Sequence, residues 1–380
     1  MKKKKYIMRT VKILSLLLAI VLLTAFLQEF ILCHSDHNRE RIKGFYLEDK
    51  DSLDVVFIGA SEVYAGFSSA YAYKRFGFTS YPFATQSNII SSYKSQIKTI
   101  IERQHPKLLV IEINGALYGD NKQLENEANF RNYVDNIPLD SNKVQIVKDY
   151  APENELEYYL PIIKYHSVWN DWPSGLHWSL STMQDALRGH NLLKGSKNKT
   201  EIYKPKEKVY NSELKNNNKK KDLTEKSEAY LRDMLEYCKS ENITNIVFTR
   251  FPHVVSKKHL GRFERGNAAG EIIAEYGYDF LNFEKDFVDT GLDTSHDFYN
   301  VDHLNVYGQQ KFTEYLGNIL CERYGVTKSE LTDSQKAQWD ETARYYDAYY
   351  KFGDAVIKEG KRKKDIGENF FDMQELKNYL

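Results

Sequence analysis

The stretch DVVFIGASEVYAG, residues 54–66, joins a continuous run of apolar residues to a turn of small ones. The run VVFI, residues 55–58, is β-branched and aromatic, which is typical of a strand buried on both faces of a parallel sheet. It ends at Gly-Ala-Ser, so Ser61 follows the strand almost directly. This serine is a candidate nucleophile at the end of a sheet, and the alternative is a serine that caps the next helix.

Strands and helices alternate beyond this stretch. A helical pattern over residues 89–103 precedes the apolar run LLVIEI, residues 108–113, and the connection is long enough for a parallel crossover. A third apolar run covers residues 243–252. A helix–turn–strand unit at 267–283 and a last helix at 309–324 complete the pattern. We therefore expect an α/β protein, a three-layer α/β/α sandwich with a parallel sheet.

The N-terminus carries a targeting signal. Basic residues crowd positions 2–12, and ILSLLLAIVLLTAFLQEFILC follows at residues 13–33. A helix of about 20 apolar residues spans a bilayer, and the positive charges in front favour a cytoplasmic N-terminus. A cleaved signal peptide is the alternative, but no small-x-small cleavage site follows the apolar run. We expect a single-pass transmembrane anchor in the cell membrane, with the main domain extracellular.

The remaining chain divides by composition. The segment at residues 195–222 is rich in lysine and asparagine, which favours a solvated loop or a disordered insert over a site for a phosphate-rich polymer. The expected parts are a basic tip and anchor at 1–33, a polar stalk at 34–52, an α/β domain at 53–326 with an insert at about 115–222, and a helical, charged C-terminal extension at 327–380.

Charge and motif content exclude several classes of protein. Lysine plus arginine and aspartate plus glutamate number 53 each, so the overall charge indicates no nucleic-acid partner. The three cysteines have neither the spacing of a metal site nor that of a disulfide framework. No H-E-x-x-H, P-loop or G-x-G-x-x-G motif occurs in the context it requires. We therefore expect no metal and no cofactor.

Three polar residues lie where the chemistry of an open sheet collects. Ser61 follows the first strand, Asn114 follows the second, and His303 lies in a polar loop before the last helix. Ligands of such sheets bind at the carboxyl ends of the strands. Because a serine hydroxyl needs a base to accept its proton, His303 is the candidate base for Ser61. Asn114 precedes a glycine, so a simple turn is its alternative.

Two short blocks resemble the SGNH (GDSL-like) hydrolase family. GASEVY, residues 59–64, is similar to its first block, where a serine after the first strand is the nucleophile. DFYNVDHLNVYGQQKFT, residues 297–313, is similar to its last block, where a histidine before the final helix is the base. The resemblance covers about residues 53–322 and implies a flavodoxin-like fold, with Ser61 as nucleophile and His303 as base.

The last block departs from the family pattern. An aspartate usually stands three residues before the histidine, and here that position is Asn300. An amide can orient the imidazole of His303, but it cannot stabilise the imidazolium by charge. Asp302 is an alternative partner, although adjacent side chains in extended backbone point apart, and Asp297 is a more remote one.

The family's oxyanion-binding blocks are also incomplete. The block that supplies a glycine N–H has no clear match, and Gln86 is the nearest polar candidate. Asn114 stands in the place of the family's asparagine, and with the Ser61 backbone N–H it is the expected oxyanion donor. His166, together with Trp169, is a candidate for lining the site, and a structural pair is the alternative for these two residues.

Taken with the anchor, the resemblance extends to membrane-anchored SGNH proteins that acylate or deacylate surface polysaccharides and to the D-alanyl transfer protein of teichoic-acid operons. It implies a serine esterase or acyltransferase that acts on acetyl-type esters of a cell-envelope polysaccharide or teichoic-acid-like substrate. The alternative is a catalytically silent SGNH-like module that binds a glycan or a membrane O-acyltransferase partner. Asn300 and the missing glycine block favour this alternative.

Overall fold

A five-stranded parallel sheet forms the centre of the chain. The computed structural model describes residues 2–31, 37–151 and 153–360. Its strands are β1 (Val55–Gly59), β2 (Ser80–Ala84), β3 (Leu108–Glu112), β4 (Ile246–Arg250) and β5 (Asp279–Asn282). They lie in the order β2-β1-β3-β4-β5, and every neighbouring pair is parallel. In flavodoxin-like sheets, which share this order, ligands bind where the strand order reverses, between β1 and β3.

The described residues also form 14 α-helices. Several begin with a side-chain cap, such as Thr224, Asn305 and Thr332, each of which accepts a hydrogen bond from an N–H of the first turn. The helices are α1 (Lys2–Phe26), α2 (His37–Leu47), α3 (Ser61–Gly66), α4 (Ser69–Phe76), α5 (Tyr93–Gln104), α6 (Glu127–Val134), α7 (Ser141–Tyr150), α8 (Glu155–Tyr159), α9 (Pro161–Tyr165), α10 (Trp172–Arg188), α11 (Glu225–Ser240), α12 (Leu260–Glu275), α13 (Val306–Glu322) and α14 (Asp333–Lys358).

Both faces of the sheet are covered by apolar side chains. Successive residues of a strand point to opposite faces. Val56 and Ile58 of β1 therefore pack in one cluster with residues of α5, α7 and α11. Val55 and Phe57 pack in another, with residues of α3, α4 and α13. The predicted α/β class and parallel sheet are confirmed.

Residues 37–47 form α2, where the sequence predicted part of a polar stalk. Ile42 and Phe45 are fully buried, and the Phe45 ring lies 4.2 Å from the ring of Phe83. Arg41 is buried as well, and its guanidinium donates to the carbonyl oxygen of Ala84 and to the side chain of Asn38. The helix has a polar sequence. Its charged side chains can nevertheless be buried, because they have hydrogen-bond partners inside the fold. The remaining stalk residues 34–36, and Cys33 before them, lie outside the described residues.

The lysine-rich segment 195–222 packs against the carboxyl end of the sheet. The Lys197 N–H donates to the Tyr64 carbonyl oxygen (2.7 Å), and the Tyr210 N–H donates to that of Val255 (2.8 Å). Leu214 is buried with Val255. These contacts differ from the solvated loop or disordered insert expected from composition. The reason is that backbone groups, which composition does not reveal, attach the segment.

The C-terminal extension continues into the fold as α14. Trp339 is 2 % exposed and packs in the same cluster as β1 and α5. Its ring also lies 4.7 Å from the ammonium of Lys194, which is itself fully buried and paired with Glu48 (2.8 Å). The last part of the extension, residues 361–380, lies outside the described residues.

The N-terminal helix has the length and composition of a membrane span. The candidate span covers Lys3–Glu29, and none of its most apolar window is buried against the rest of the protein. A π-helical turn, Leu27–Ile31, follows α1. Glu29 in this turn pairs with Arg39 of α2 (2.5 Å), and its carbonyl oxygen accepts from Ser179 of α10 (2.9 Å). The end of the apolar helix is thereby bonded to the α/β domain.

Candidate active site

Ser61 is the first residue of α3 and stands just beyond the end of β1. The turn requires glycine at position 59, because a Cβ there would overlap the side chain of Val63 and lie 2.9 Å from Cβ of Glu112. Ala60 occupies the N-cap of the helix, and no side chain caps it. The Ser61 hydroxyl therefore does not cap the helix, which was the alternative to its role as a nucleophile.

That hydroxyl is hydrogen-bonded to His303. The Oγ of Ser61 lies 2.6 Å from Nε2 of His303, and on the other side of the ring Nδ1 lies 2.8 Å from Oδ1 of Asn300. The Asp302 backbone N–H also donates to this Oδ1 (2.9 Å), which is consistent with an acceptor at that position. Nδ1 must then carry the ring proton. In neutral His303, Nε2 is left to accept a proton from Ser61.

Burial keeps His303 uncharged. Desolvation lowers the pKa of His303 to about 4, an effect that Glu62 opposes and Lys199 reinforces. A general base has to be in its neutral form to accept a proton. His303 therefore has the protonation state of a base throughout the neutral pH range.

The loop before α13 fixes the position of His303. The Tyr299 N–H donates to the His303 carbonyl oxygen (2.8 Å), and Phe298 and Leu304 form an antiparallel bridge. Asn305 is fully buried, caps α13 and donates from its amide to the His296 carbonyl oxygen (2.7 Å). The imidazole thus projects from a loop that is closed on itself by hydrogen bonds.

The two aspartates considered as partners of His303 contact other residues. Asp302 pairs with Arg262 (3.1 Å). Asp297 is fully buried and pairs with His296 and Lys311, both at 2.7 Å. Of the three residues considered from the sequence, Asn300 is the one that contacts the imidazole.

Ser61 and His303 line a cavity of about 480 Å³ at the carboxyl ends of β1 and β3. Arg41, Lys197, Lys199 and Arg262 also line it, and the acidic residues in its wall are Glu62 and Asp302. Arg41 stacks over the ring of Tyr64, with 3.7 Å from Cζ to the ring centroid. Cationic side chains thus outnumber the acidic ones in this wall.

The other residues predicted for the site differ in whether they line this cavity. Asn114 lines the cavity, but its amide donates to Glu62 and its Oδ1 accepts from Arg250 (2.8 Å). One amide proton of Asn114 remains for an oxyanion. Gln86 is exposed in the cavity wall. His166 is exposed, bonds the Ile163 carbonyl oxygen (2.9 Å) and does not line the cavity. The side chain of Trp169 lies outside the described ones.

A buried charged network lies directly behind Ser61, and the sequence did not predict it. Arg250 pairs with Glu112 (3.2 Å) and Glu284 (3.0 Å). His253 lies 3.1 Å from Glu284 and 3.7 Å from Glu62. All five side chains are at most 4 % exposed. The network connects α3 to the ends of β3 and β4, and it holds Asn114 through Glu62.

The surroundings of Glu112 and His253 in this network raise the pKa values of both groups. Burial together with the neighbouring Glu62 raises the pKa of Glu112 to about 7. Burial acts against the charge of His253, but Glu284 and Glu62 outweigh it and raise the pKa of His253 to about 9. One signal in the sequence could have revealed these partners. Each of two apolar runs has a charged residue near its end, Glu112 in LLVIEI and Arg250 in IVFTR.

The site has the elements of acyl transfer: a hydroxyl, a neutral base, a residue that fixes the ring and N–H groups at a helix start. Within the described ranges, no group of three or more histidine, cysteine or acidic side chains is arranged to hold a metal ion. No protein-family model, curated protein or solved structure matches the chain.

Proposed function

We propose that the protein is a membrane-anchored serine esterase or acyltransferase of SGNH type. Its substrate would be an acetyl-type ester on a cell-envelope glycan. The observation that carries this proposal is the chain of contacts from Ser61 to His303 to Asn300 at the wall of an open cavity. The strand order and the helices on both faces of the sheet support a three-layer α/β/α sandwich of that family.

In the first half of the reaction, Oγ of Ser61 attacks the acyl carbonyl carbon, and its proton passes to Nε2 of His303. The imidazolium then gives this proton to the glycan oxygen as the ester C–O bond breaks. The acyl group remains on Ser61. Asn300 holds Nδ1–H throughout, so the ring keeps the tautomer that the reaction needs.

The negative charge on the acyl oxygen needs hydrogen-bond donors. The first N–H groups of α3 have no partner within the helix, and Ser61 contributes one of them. The amide of Asn114 supplies a second donor from the end of β3. Donors that are fixed in this way before the reaction are worth about 3–4 kcal/mol each in comparable sites.

In the second half, water or an acceptor hydroxyl attacks the acyl carbonyl carbon while Nε2 of His303 takes its proton. The bond between this carbon and Oγ of Ser61 then breaks, and the imidazolium returns the proton to Oγ as the product leaves. Water gives net hydrolysis, and a sugar hydroxyl gives transfer. We place the α/β domain outside the cell and the basic residues 2–12 in the cytoplasm, since α1 has the features of a span and these charges precede its apolar part.

A fluorophosphonate probe tests the nucleophile. We expect it to label the full-length protein in detergent, and we expect Ser61→Ala to abolish labelling and to reduce turnover of an acetyl-ester reporter by roughly 10³-fold or more. Ser87→Gly is the matched control, because Ser87 is a second hydroxyl in the cavity wall and its backbone φ of +50° suits glycine. Labelling should persist in this control.

Absence of both labelling and turnover in the wild-type protein would contradict the enzymatic proposal. It would support the binding module instead. Asn300 in the place of a carboxylate is the feature that favours that second function, in which the cavity holds a glycan, or the domain holds a membrane O-acyltransferase, without reaction.

A further inference from the structure

A second cavity lies beside the one that contains Ser61. Its volume is about 380 Å³, and Tyr118 and Arg262 line both cavities. Arg262 stands over the Tyr118 ring at 5.7 Å and reaches Asp302 in the wall of the first cavity. A molecule bound at Ser61 could therefore extend into the second cavity along these two side chains.

The second cavity is strongly cationic. Its wall contains Lys221, Lys258, Arg262 and Arg265, and the one acidic residue in it is Asp120. Lys221 and Arg265 converge on Gly261, because Nζ of the lysine and Nη1 of the arginine both lie 3.7 Å from where a Cβ of that glycine would stand. The bare backbone of Gly261 keeps the space between these two cations open.

Arg265 is a buried cation directed at this space. It is 8 % exposed, and its Nε donates to the Leu117 carbonyl oxygen (2.7 Å). Among the described residues, neither Nη1 nor Nη2 has a hydrogen-bond or ion-pair partner. Burial lowers the pKa of Arg265, and the positive charge of Arg262 lowers it further. Glu264 and Asp120 oppose this shift from a distance, but in the described part of the chain no carboxylate forms an ion pair with the Arg265 guanidinium.

The start of α12 adds to the positive potential. The helix begins at Leu260, and His259 and Gly261 at this end line the cavity. The N-terminus of a helix carries partial positive charge and is usually matched by acidic residues. The first turn of α12 has none, and Lys257, Lys258 and His259 immediately precede it. Both the side chains and the backbone in this region favour an anion.

We infer that the second cavity is a subsite for a phosphoryl group carried by the glycan substrate, beside the ester that reacts at Ser61. This inference rests on the proposed function for its placement next to a reacting ester. A phosphoryl group fits because it accepts several hydrogen bonds and binds at helix N-termini and between Arg and Lys side chains. Lys221 belongs to the lysine-rich segment 195–222, which thus acquires a role beyond solubility.

Binding to the full-length Ser61→Ala protein tests the subsite without turnover. The probes are inorganic phosphate and an O-acetylated sugar phosphate, titrated by calorimetry. We expect both to bind, and we expect the sugar phosphate to bind more tightly because it also occupies the Ser61 cavity. Adding Lys221→Gln or Lys258→Gln, both exposed positions, should weaken both affinities about three- to tenfold.

Lys220→Gln is the matched control. Lys220 is the exposed neighbour of Lys221, pairs with Glu271 (2.7 Å) and does not line the cavity. Affinity in this variant should equal that of the Ser61→Ala parent. Absence of phosphate binding, or equal weakening by Lys220→Gln, would overturn the subsite. Equal affinity for the two probes would overturn its link to the substrate. The two proposals can fail separately. If the wild-type protein shows no fluorophosphonate labelling but phosphate binding still depends on Lys221, the enzymatic proposal is rejected and the anion site is retained.

Discussion

At Asn300, an amide occupies the position in which the SGNH family, which the last sequence block resembles, usually holds a carboxylate. In serine proteases, the exchange of aspartate for asparagine costs about 10⁴ in rate because it stabilises the wrong tautomer of the histidine. Here the Asp302 N–H and Nδ1 of His303 both approach Oδ1 of Asn300, so the amide accepts and the tautomer is the productive one. The remaining deficit is one of charge, and a Cys-His-Asn arrangement in other proteases shows that it is tolerated.

The pH dependence of activity should report this missing charge. A pKa of about 4 for His303 keeps the base neutral from pH 8 down to about 5, and kcat/KM should fall only as the pH drops through 4. Asn300→Asp places a negative charge beside the imidazole of His303 and should raise the pKa of His303 by roughly one to three units. The acid limb of the kcat/KM profile for an acetyl-ester reporter should move upward by the same amount.

Asp302→Asn is the matched control for this shift. Asp302 also favours protonation of His303, but through space and without contacting the ring. Its removal should move the acid limb downward, if at all. An identical acid limb in the wild-type protein and in Asn300→Asp would contradict the assignment of His303 as the base.

At the scale of elements, the buried network joins α3 to β3 and β4 behind the nucleophile. Arg250 is 1 % exposed and neutralises Glu112 and Glu284, which are buried as well. We expect Arg250→Met to destabilise the protein by about 3–5 kcal/mol, because it removes the buried ion-pair partner of Glu112 and leaves Glu284 with His253 alone. Denaturant unfolding of the full-length protein in detergent measures the change.

Arg232→Met serves as the comparison for that substitution. Arg232 also pairs with two carboxylates, Glu228 and Glu275, both at 2.8 Å, but on the surface of α11. Exposed pairs contribute about 0–1 kcal/mol each, so this variant should unfold almost like the wild type. Similar losses for the two arginine variants would mean that burial does not set the strength of the Arg250 network.

The three strands inside the sheet could be predicted from their composition, and the edge strand β5 from the helix and glycine turn that precede it. β1, β3 and β4 are continuous apolar runs because both of their faces are covered. β2, with the sequence SYPFA, escaped prediction because it is short and contains Pro82. Proline is tolerated there since β2 is the edge strand and needs a partner on one side alone.

The candidate site also contains residues that could be predicted from sequence and residues that could not. Ser61 and His303 could be found because each follows or precedes a recognisable element at the carboxyl edge of the sheet. Asn300 was expected as one of three partners, and only side-chain geometry distinguishes it from Asp302. The network around Arg250 and the cationic cavity escaped prediction because their members come from distant segments, so no spacing in the sequence connects them.

At the scale of the whole molecule, the equal numbers of acidic and basic residues conceal an uneven distribution. Cations concentrate around the two neighbouring cavities and in the first turns of α1, before its apolar part. The first group favours anionic substrates, and the second favours retention of the N-terminus in the cytoplasm.

The proposed orientation leads to a prediction for intact cells. Protease added outside should remove most of the chain, and a tag on the N-terminus should survive on a small fragment that contains α1. Disruption of the membrane should expose the tag as well, and a cytoplasmic protein followed in parallel reports on leakage. Full protection of the chain in sealed cells would contradict an extracellular α/β domain.

In the proposed function, α2 would determine how far from the bilayer the reaction can take place. His37 and Arg41 of this helix line the cavity of Ser61, and only residues 32–36 separate α2 from the turn that ends the apolar helix. Fully extended, that connection reaches roughly 20 Å. In the proposed orientation, with α1 in the membrane, Ser61 would stand at a nearly constant height above the lipid headgroups. Glycan units close to their point of attachment would be modified, and units farther out in the envelope would pass beyond its reach.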